Sequence, residues 1–530
     1  MTRLQNGTTD DAAPATLGTW LGYLAMCLGM FMAILDIQIV ASSLPDIQAG
    51  LLIPFSELSW VQTAYLTAEI VAIPLTGWLT ARYSLRVLFL VAVAAFTAAS
   101  TGCAASTGFT MLICFRVLQG AAGGVLIPAA FTAIFMLFPE RLHIKATAIG
   151  GLFAMTAPML GPTLGGYITD TFSWPWLFLI NLGPGIVAFV IAIFLLRTEQ
   201  ADEKVAHRLD FQTLLLLALS LSTLQIGLKE GPERGWTSAY PLLLLAISVS
   251  AGIVTIRRSL RQRLPLIDFR LLLDPCFATS CFYSFVLGGV LYGSVYLLPL
   301  FLGFVRLHTA FEIGMTMLVA GVVQTLSLPA PVLLVKRLSV RLLTGIGYAL
   351  FAAGLIANGF ATPDTDFAGL FWPQVLRGAG VLMCIIPTTS VALEHRHGTD
   401  LANASALFNL SRNLGGAICI ALVDTILQIR TDAHVPELMR RLHAGDPTAA
   451  AFVGLPTGAF KDQPITALDQ ISQMIDPLVH RAAQVMAFNE AWILLGLYCA
   501  ASLLALPLLG RERPTKAAIL PPARAIGERR

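Results

Sequence analysis

Apolar residues in this chain gather in runs of about 20, the length a helix needs to cross the roughly 30 Å hydrocarbon layer of a bilayer, and short polar or basic connections separate the runs. A hydropathy window of about 19 residues predicts about fourteen spans. They lie at 18–45, 57–80, 87–105, 109–135, 146–169, 175–196, 211–228, 238–256, 275–302, 311–334, 342–360, 369–392, 402–428 and 487–510. The long first and ninth spans are expected to tilt or bend. Glycine and proline fall inside many spans, which membrane helices tolerate because neighbouring helices re-satisfy the backbone. The polar first 17 residues hold Asp10, Asp11 and one basic residue, Arg3, unlike the basic start of a signal peptide, and the run behind them is too long for a signal core. A retained first helix is therefore expected.

One connection departs from this pattern. Residues 429–486 carry mixed charge, Pro436, Pro447, Pro456, Pro464 and Pro477, and an amphipathic stretch near Ala467–Val485. They read as a long outer loop without a core of its own, either a docking element for a periplasmic partner or a tolerated insertion.

Charge sets the expected orientation. With the N-terminus inside, the inner connections collect Arg82 and Arg86; Arg141 and Lys145; Arg197, Lys204 and Arg208; Arg257, Arg258, Arg261, Arg263 and Arg270; Lys336, Arg337 and Arg341; and Arg396. The tail adds Arg511, Arg513, Lys516, Arg524, Arg529 and Arg530, whereas the short outer loops hold only Lys229, Arg234 and Arg306. This is the positive-inside bias, and it requires an even number of spans with both termini cytoplasmic.

Composition agrees. Hydrophobic residues make up 56% of the chain and charged residues 12%, and the mean hydropathy is +0.75; soluble domains lie near 45–50% and about 25%. A net charge of +3 does not suggest nucleic acid. Eight cysteines stand singly in apolar runs with no CxxC, so neither a metal site nor a disulfide framework is indicated. The chain contains no Gly-Lys pair and hence no P-loop for ATP. It also lacks HExxH and GxSxG, which weakens a membrane-enzyme reading. Pumping would then draw on an ion gradient or on a separate subunit, and no cofactor is expected.

Ionisable residues within spans are informative, because each costs about 2.5–3.5 kcal/mol at the bilayer centre. Asp36 in the first span and Glu69 in the second are carboxyls in apolar surroundings, suited to binding and releasing a proton near neutral pH. The alternatives are a helix-packing hydrogen bond for Asp36 and a counter-charge for cationic substrates for Glu69. Arg116 in the fourth span cannot shed its proton and must find a carboxylate or carbonyls; it either tunes a nearby acid or neutralises charge structurally. Arg377 and Arg412 are expected to act similarly in the second half. Asp424 is expected to pair with one of them or to lie near the outer surface. Gln119, one turn after Arg116, joins these three as a substrate or gating candidate. Glycine supplies a second signal: Gly150-Gly151 and Gly161-Pro162-Thr163-Leu164-Gly165-Gly166 in the fifth span, Gly120 with Gly123-Gly124, and Gly288-Gly289 with Gly293 offer faces for close helix approach. Pro162 interrupts the hydrogen-bond ladder and allows bending.

Together these residues resemble the major facilitator superfamily, and within it the fourteen-helix drug:proton antiporters of the EmrB/QacA type, over about residues 18–510. Gly77-Trp78-Leu79-Thr80-Ala81-Arg82 is similar to the loop motif after the second helix, with Gly77 and Arg82 as its matching positions. Leu112–Gly120, with Arg116, resembles the fourth-helix motif. Ala157–Gly166, with Pro158, Gly161, Pro162, Gly165 and Gly166, resembles the antiporter motif of exporters. Leu35-Asp36 with Leu44-Pro45 and Trp174–Asn181 resemble the first-helix motif and the start of the sixth helix. Ile73–Leu79 and Trp372-Pro373-Gln374 are most like EmrB-type inner-membrane components of tripartite efflux systems. Ala81 stands where the loop motif usually carries an acid, and Ser84 where it carries a glycine.

The resemblance implies an all-α polytopic fold of two six-helix bundles plus two extra helices. Its layout is a tail at 1–17, a bundle at 18–196, the extra pair at 211–256, a bundle at 275–510 that includes 429–486, and a basic tail at 511–530. It also implies proton-coupled export of small amphipathic compounds across a bacterial inner membrane by alternating access, with Asp36, Glu69 and Arg116 coupling protons, and a periplasmic membrane-fusion adaptor and an outer-membrane channel as partners. A dedicated exporter of one metabolite, lipid or siderophore, uptake by symport, and a membrane enzyme or scaffold remain the alternatives.

Overall fold

The computed structural model describes residues 16–196, 210–262, 265, 267–334, 337–393, 398–456 and 465–510, and among these every regular element is a helix. The first half comprises α1 (Leu17–Ala41), α2 (Leu44–Leu51), α3 (Trp60–Ala72), α4 (Leu75–Tyr83), α5 (Leu85–Ala104), α6 (Phe109–Leu137), α7 (Glu140–Thr171), α8 (Trp176–Leu179) and α9 (Leu182–Leu195). The inserted pair is α10 (Phe211–Arg234) and α11 (Ala239–Arg261). The second half comprises α12 (Pro275–Leu300), α13 (Ala310–Leu326), α14 (Pro329–Leu334), α15 (Val340–Asn358), α16 (Phe367–Leu393), α17 (Gly398–His443), α18 (Pro447–Val453) and α19 (Ile465–Ala501).

Among the described residues, 13 helical stretches are long and apolar enough to cross a membrane. The expected second span is the one missing as a continuous helix: it breaks between α3 and α4 at Ile73-Pro74. Proline has no N–H to extend the hydrogen-bond ladder. The α3–α4 pair covers most of the length expected of that span. Arg341 at the start of α15 donates to the Leu509 carbonyl at 2.5 Å, and Gly510 abuts Cys276 at the start of α12. The opposite end, remote from Leu17 and Leu509, carries Leu52, Arg234 and Leu307.

The halves meet along two seams, α7 against α13 and α3 against α17, and α10 covers the second by packing on both α3 and α17. Glycine makes the first seam. A Cβ on Gly166 would lie 2.1 Å from the Ala310 carbonyl oxygen, and one on Gly314 would lie 2.3 Å from that of Pro162. Asp170 accepts from the Ala310 and Phe311 amides at 3.1 Å each, capping α13 across the seam. Near the same remote end Phe55 meets Phe304 edge-on at 5.1 Å, and Pro45 fills the space beside Gly303 in the wide π-turn Phe301–Val305. The halves are thus sealed at the remote end.

Residues 429–486 correct the expectation of a coreless loop. α17 continues unbroken to His443, 46 residues in all, or about 69 Å at 1.5 Å per residue, well beyond a bilayer. Its last turns, α18 and the start of α19 close a separate apolar core of Leu438, Leu442, Ala449, Val453, Val479 and Ala483. Asp446 caps α18 by accepting from the Thr448 amide at 2.8 Å. Residues 457–464 of this region, the tails 1–15 and 511–530, and Arg197, Lys204, Arg208, Arg263, Lys336 and Arg396 lie outside the described residues.

Candidate functional site

Asp36 sits in the middle of the first half with no solvent exposure. The Arg116 guanidinium of α6 pairs with its Oδ2. Gln119 Nε2 and Asn181 Nδ2 donate to its Oδ1 at 2.8 and 3.0 Å. Arg116 also donates to Gln119 Oε1 and to the Val61 carbonyl, both at 2.8 Å, and lies 4.5 Å over the Tyr65 ring. Ser100 of α5 accepts from Gln119 at 2.7 Å. The network ties α1, α3, α5 and α6 to the start of α9 around one charge pair. Buried ions need this degree of hydrogen bonding, since desolvation otherwise exceeds the Coulomb gain.

Glu69 is placed differently. It lies on α3 one turn beyond Tyr65, buried on the seam side of the first half. The Asn413 side chain and the Arg412 charge of α17 and the Tyr292 ring of α12 lie close to its carboxylate. Its Oε2 has no hydrogen-bond partner. Tyr292 donates to Asn413 Oδ1 at 3.5 Å, at the edge of hydrogen-bond range. One carboxylate of the first half therefore faces polar groups of the second, across a seam that must shear if the halves rock.

The other intramembrane charges are arranged in ways the sequence did not foresee. Arg377 donates to Gln374 Oε1 and Ser294 Oγ, both at 2.6 Å, and its carbon Cζ is 5.7 Å from the Phe351 ring centroid. Arg412 binds Asn409 one turn earlier on α17. Neither pairs with Asp424. The partner of Asp424 is Lys229 of α10, a residue expected in an outer loop and found instead inside the helix and buried. The span expected at 211–228 ends one residue before Lys229, whereas α10 runs on to Arg234.

The motif glycines act as contact surfaces. A Cβ on Gly161 would meet that of Gln38 at 2.6 Å, and one on Gly165 would meet the Ile39 carbonyl oxygen at 2.2 Å, so this face of α7 receives α1. The adjacent face, with Pro162 and Gly166, receives α13, while Pro158 is part-buried one turn before Pro162. Gly77 and Arg82 lie on α4, and the Arg82 guanidinium is 5.8 Å from the Tyr83 ring. Ser84, in the glycine position of the loop motif, has φ 72° and ψ 153°, backbone angles that glycine adopts far more readily than serine.

Comparison with known proteins places this arrangement. The sequence profile of the Major Facilitator Superfamily matches residues 26–419. The colistin resistance protein EmrB of Acinetobacter baumannii is 33% identical, over 89% of this chain and 92% of that protein. The multidrug export protein EmrB of Escherichia coli K12 is 29% identical over 90% and 92%, and the fatty acid resistance protein FarB of Neisseria gonorrhoeae 30% over 79% and 83%. Among solved structures, a bacterial homologue of the human lysosomal transporter Spinster, inward-facing and unoccupied, superposes with a TM-score of 0.60 at 14% identity, covering 94% of this chain and 98% of that one. The xylose transporter XylE of E. coli gives 0.55 at 12%, over 91% and 97%.

Proposed function

The chain belongs to the Major Facilitator Superfamily and is a multi-pass membrane transporter rather than an enzyme, and from that premise we propose that it exports small amphipathic molecules in exchange for protons. The observation that carries the proposal is Glu69: a buried carboxyl, one oxygen unpartnered, facing Arg412 and Asn413 across the seam. With the remote end taken as periplasmic, as the charge bias favours, substrate reaches the seam from the cytoplasm. Rocking of the halves about the α7–α13 and α3–α17 contacts then exposes Glu69 to the periplasm. There a proton neutralises the carboxyl and frees it from the Arg412 charge; the return stroke carries the proton inward. Asp36, enclosed by Arg116, Gln119 and Asn181, serves in this scheme as the fixed electrostatic frame of the first half. Arg116 and Glu69 are linked through Tyr65, which bears the guanidinium on its ring one turn from the carboxyl.

The names of the relatives, which speak of multidrug export, colistin resistance and fatty acid resistance, support amphipathic substrates and a bacterial inner-membrane location. The helical extension built from α17, α18 and α19 is the surface we assign to a periplasmic membrane-fusion adaptor, through which an outer-membrane channel would be reached. Proteoliposomes carrying a trapped pH dye test the proposal. Addition of amphipathic compounds is expected to drive proton movement through the wild type and not through Glu69→Gln. If no compound of a broad panel moves protons through the wild type, antiport of amphipathic molecules is wrong. If Glu69→Gln still couples, the carrier is another group.

A further inference from the structure

The inserted pair α10–α11 lies outside the two six-helix bundles, yet it places a cation where an unpaired charge is unfavourable. Lys229 Nζ pairs with the Asp424 carboxylate of α17 and donates to Ser59 Oγ, at the start of α3, at 2.7 Å. Ser59 Oγ in turn donates to Asp424 Oδ2 at 3.1 Å, and Tyr296 of α12 donates to Oδ1 at 3.2 Å. All four side chains are buried. One carboxylate thus gathers a donor from the first half, one from the insertion and one from the second half.

The hairpin that carries Lys229 is stiff. Ser220 and Ser248 donate to each other's carbonyls, each at 2.8 Å, locking α10 to α11. At the opposite end Arg258 donates to both oxygens of Asp210 at 3.1 Å. Although desolvation acts against it, hydrogen bonding from Thr213, Gln262 and Arg258 holds the Asp210 carboxyl well below the ordinary range. Lys229 is therefore presented by a braced element, at the same end where Gly166 abuts Ala310 and Pro45 abuts Gly303.

We propose that the inserted hairpin is a working third part of the gate at the remote end, with Lys229 as its positioning residue, and that the Lys229–Asp424 pair separates when that end opens. The proposal rests on the reading of the chain as an alternating-access transporter. Opening moves α3 away from α17 and takes Ser59 from Asp424. The cation then loses an acceptor and the carboxylate a donor in the Ser59 hydroxyl they share, and water replaces it. Until then the pair weights the population toward a closed remote end, because a buried charge stripped of its partner is strongly disfavoured.

Spin labels at Leu52 and Leu307, both exposed at the remote end on opposite halves, test this in full-length protein in nanodiscs, with Cys114 and Cys276 replaced by serine. Distances are measured by pulsed electron resonance with neither substrate nor gradient. The wild type is expected to give a mainly short distance. Lys229→Gln and Asp424→Asn are each expected to raise the long-distance population about tenfold, and the reversed pair Lys229→Asp/Asp424→Lys to restore the short one. If Lys229→Gln does not fold, Lys229→Met/Asp424→Leu leaves no unpaired charge and reads the same population. Unchanged distances in the neutral variants, or no restoration in the reversed pair, overturn the proposal. The distances do not depend on transport: absent export with shifting distances removes the antiport reading and keeps the gate, whereas normal export with unmoved distances removes the gate.

Discussion

Asp36 on α1 and Arg116 on α6, 80 residues apart in sequence, form an ion pair from which solvent is wholly excluded. Gln119 and Asn181 donate to Asp36, and the Val61 carbonyl and Gln119 accept from Arg116, whose buried Nη2 is left without a hydrogen-bond partner.

Breaking such a pair is costly from either side. Arg116→Met leaves a buried carboxylate without a counter-charge and is expected to destabilise by about 3–5 kcal/mol. Asp36→Asn keeps an acceptor for Arg116 but leaves a buried guanidinium that cannot shed its proton, and is expected to cost at least as much. Thermal unfolding in detergent measures both. An Arg116→Met protein as stable as the wild type would contradict the structural role given to the pair.

The α7–α13 seam predicts a steric effect at Gly166 that Gly151, on the same helix, does not share. Gly166→Ala drives a methyl to within 2.1 Å of the Ala310 carbonyl oxygen, whereas a Cβ on Gly151 meets nothing within 4 Å. Overpacking costs about 1–3 kcal/mol. Gly166→Ala should therefore part the halves at the remote end, lengthening the Leu52–Leu307 distance and slowing export about tenfold or more. Gly151→Ala should behave as wild type. Equal effects at the two positions would locate the strain elsewhere.

Ser84 predicts a stabilising change to glycine. Its φ of 72° costs a non-glycine residue about 1–3 kcal/mol. Its hydroxyl accepts from the Val87 amide at only 3.5 Å, so little capping is lost with it. Ser84→Gly is expected to melt higher than Ser84→Ala, by a margin of about 1 kcal/mol or more. The reverse order would show that the cap outweighs the backbone strain.

Acid stability should depend on Asp366, at the remote end. Arg306 donates to it at 2.6 and 2.9 Å, and this hydrogen bonding, against slight desolvation and helped by the Arg306 and His308 charges, holds its carboxyl below the ordinary range. A depressed carboxyl contributes stability fully above its unfolded value of about 3.9. That contribution is lost as pH falls through the lower folded value. The wild type should therefore lose more melting temperature than Asp366→Asn between about pH 5 and 3. Parallel losses would exclude the contribution.

The amino-acid sequence alone determined the membrane character and the places where charge enters the bilayer. Each of these is a local cost, written in runs of about 20 residues or in a single acid or arginine among apolar neighbours, as at Asp36, Glu69 and Arg116. The tertiary structure decided the partners, which depend on contacts between residues far apart in sequence. Asp424 could have met Arg377 or Arg412; the packing of α10 against α3 and α17 brought Lys229 to it instead. At the edge of its apolar run Lys229 read as a loop residue, because hydropathy averages over a window and cannot see one buried turn at the end of a helix. Leu438 and Val479 read as parts of a coreless loop for the same reason, since the core they share exists only once α17 and α19 run side by side. Glu69 was visible as a costly charge, but that it faces Asn413 and Arg412 across the seam, while Asp36 is sealed within one half, is a property of how the two halves pack.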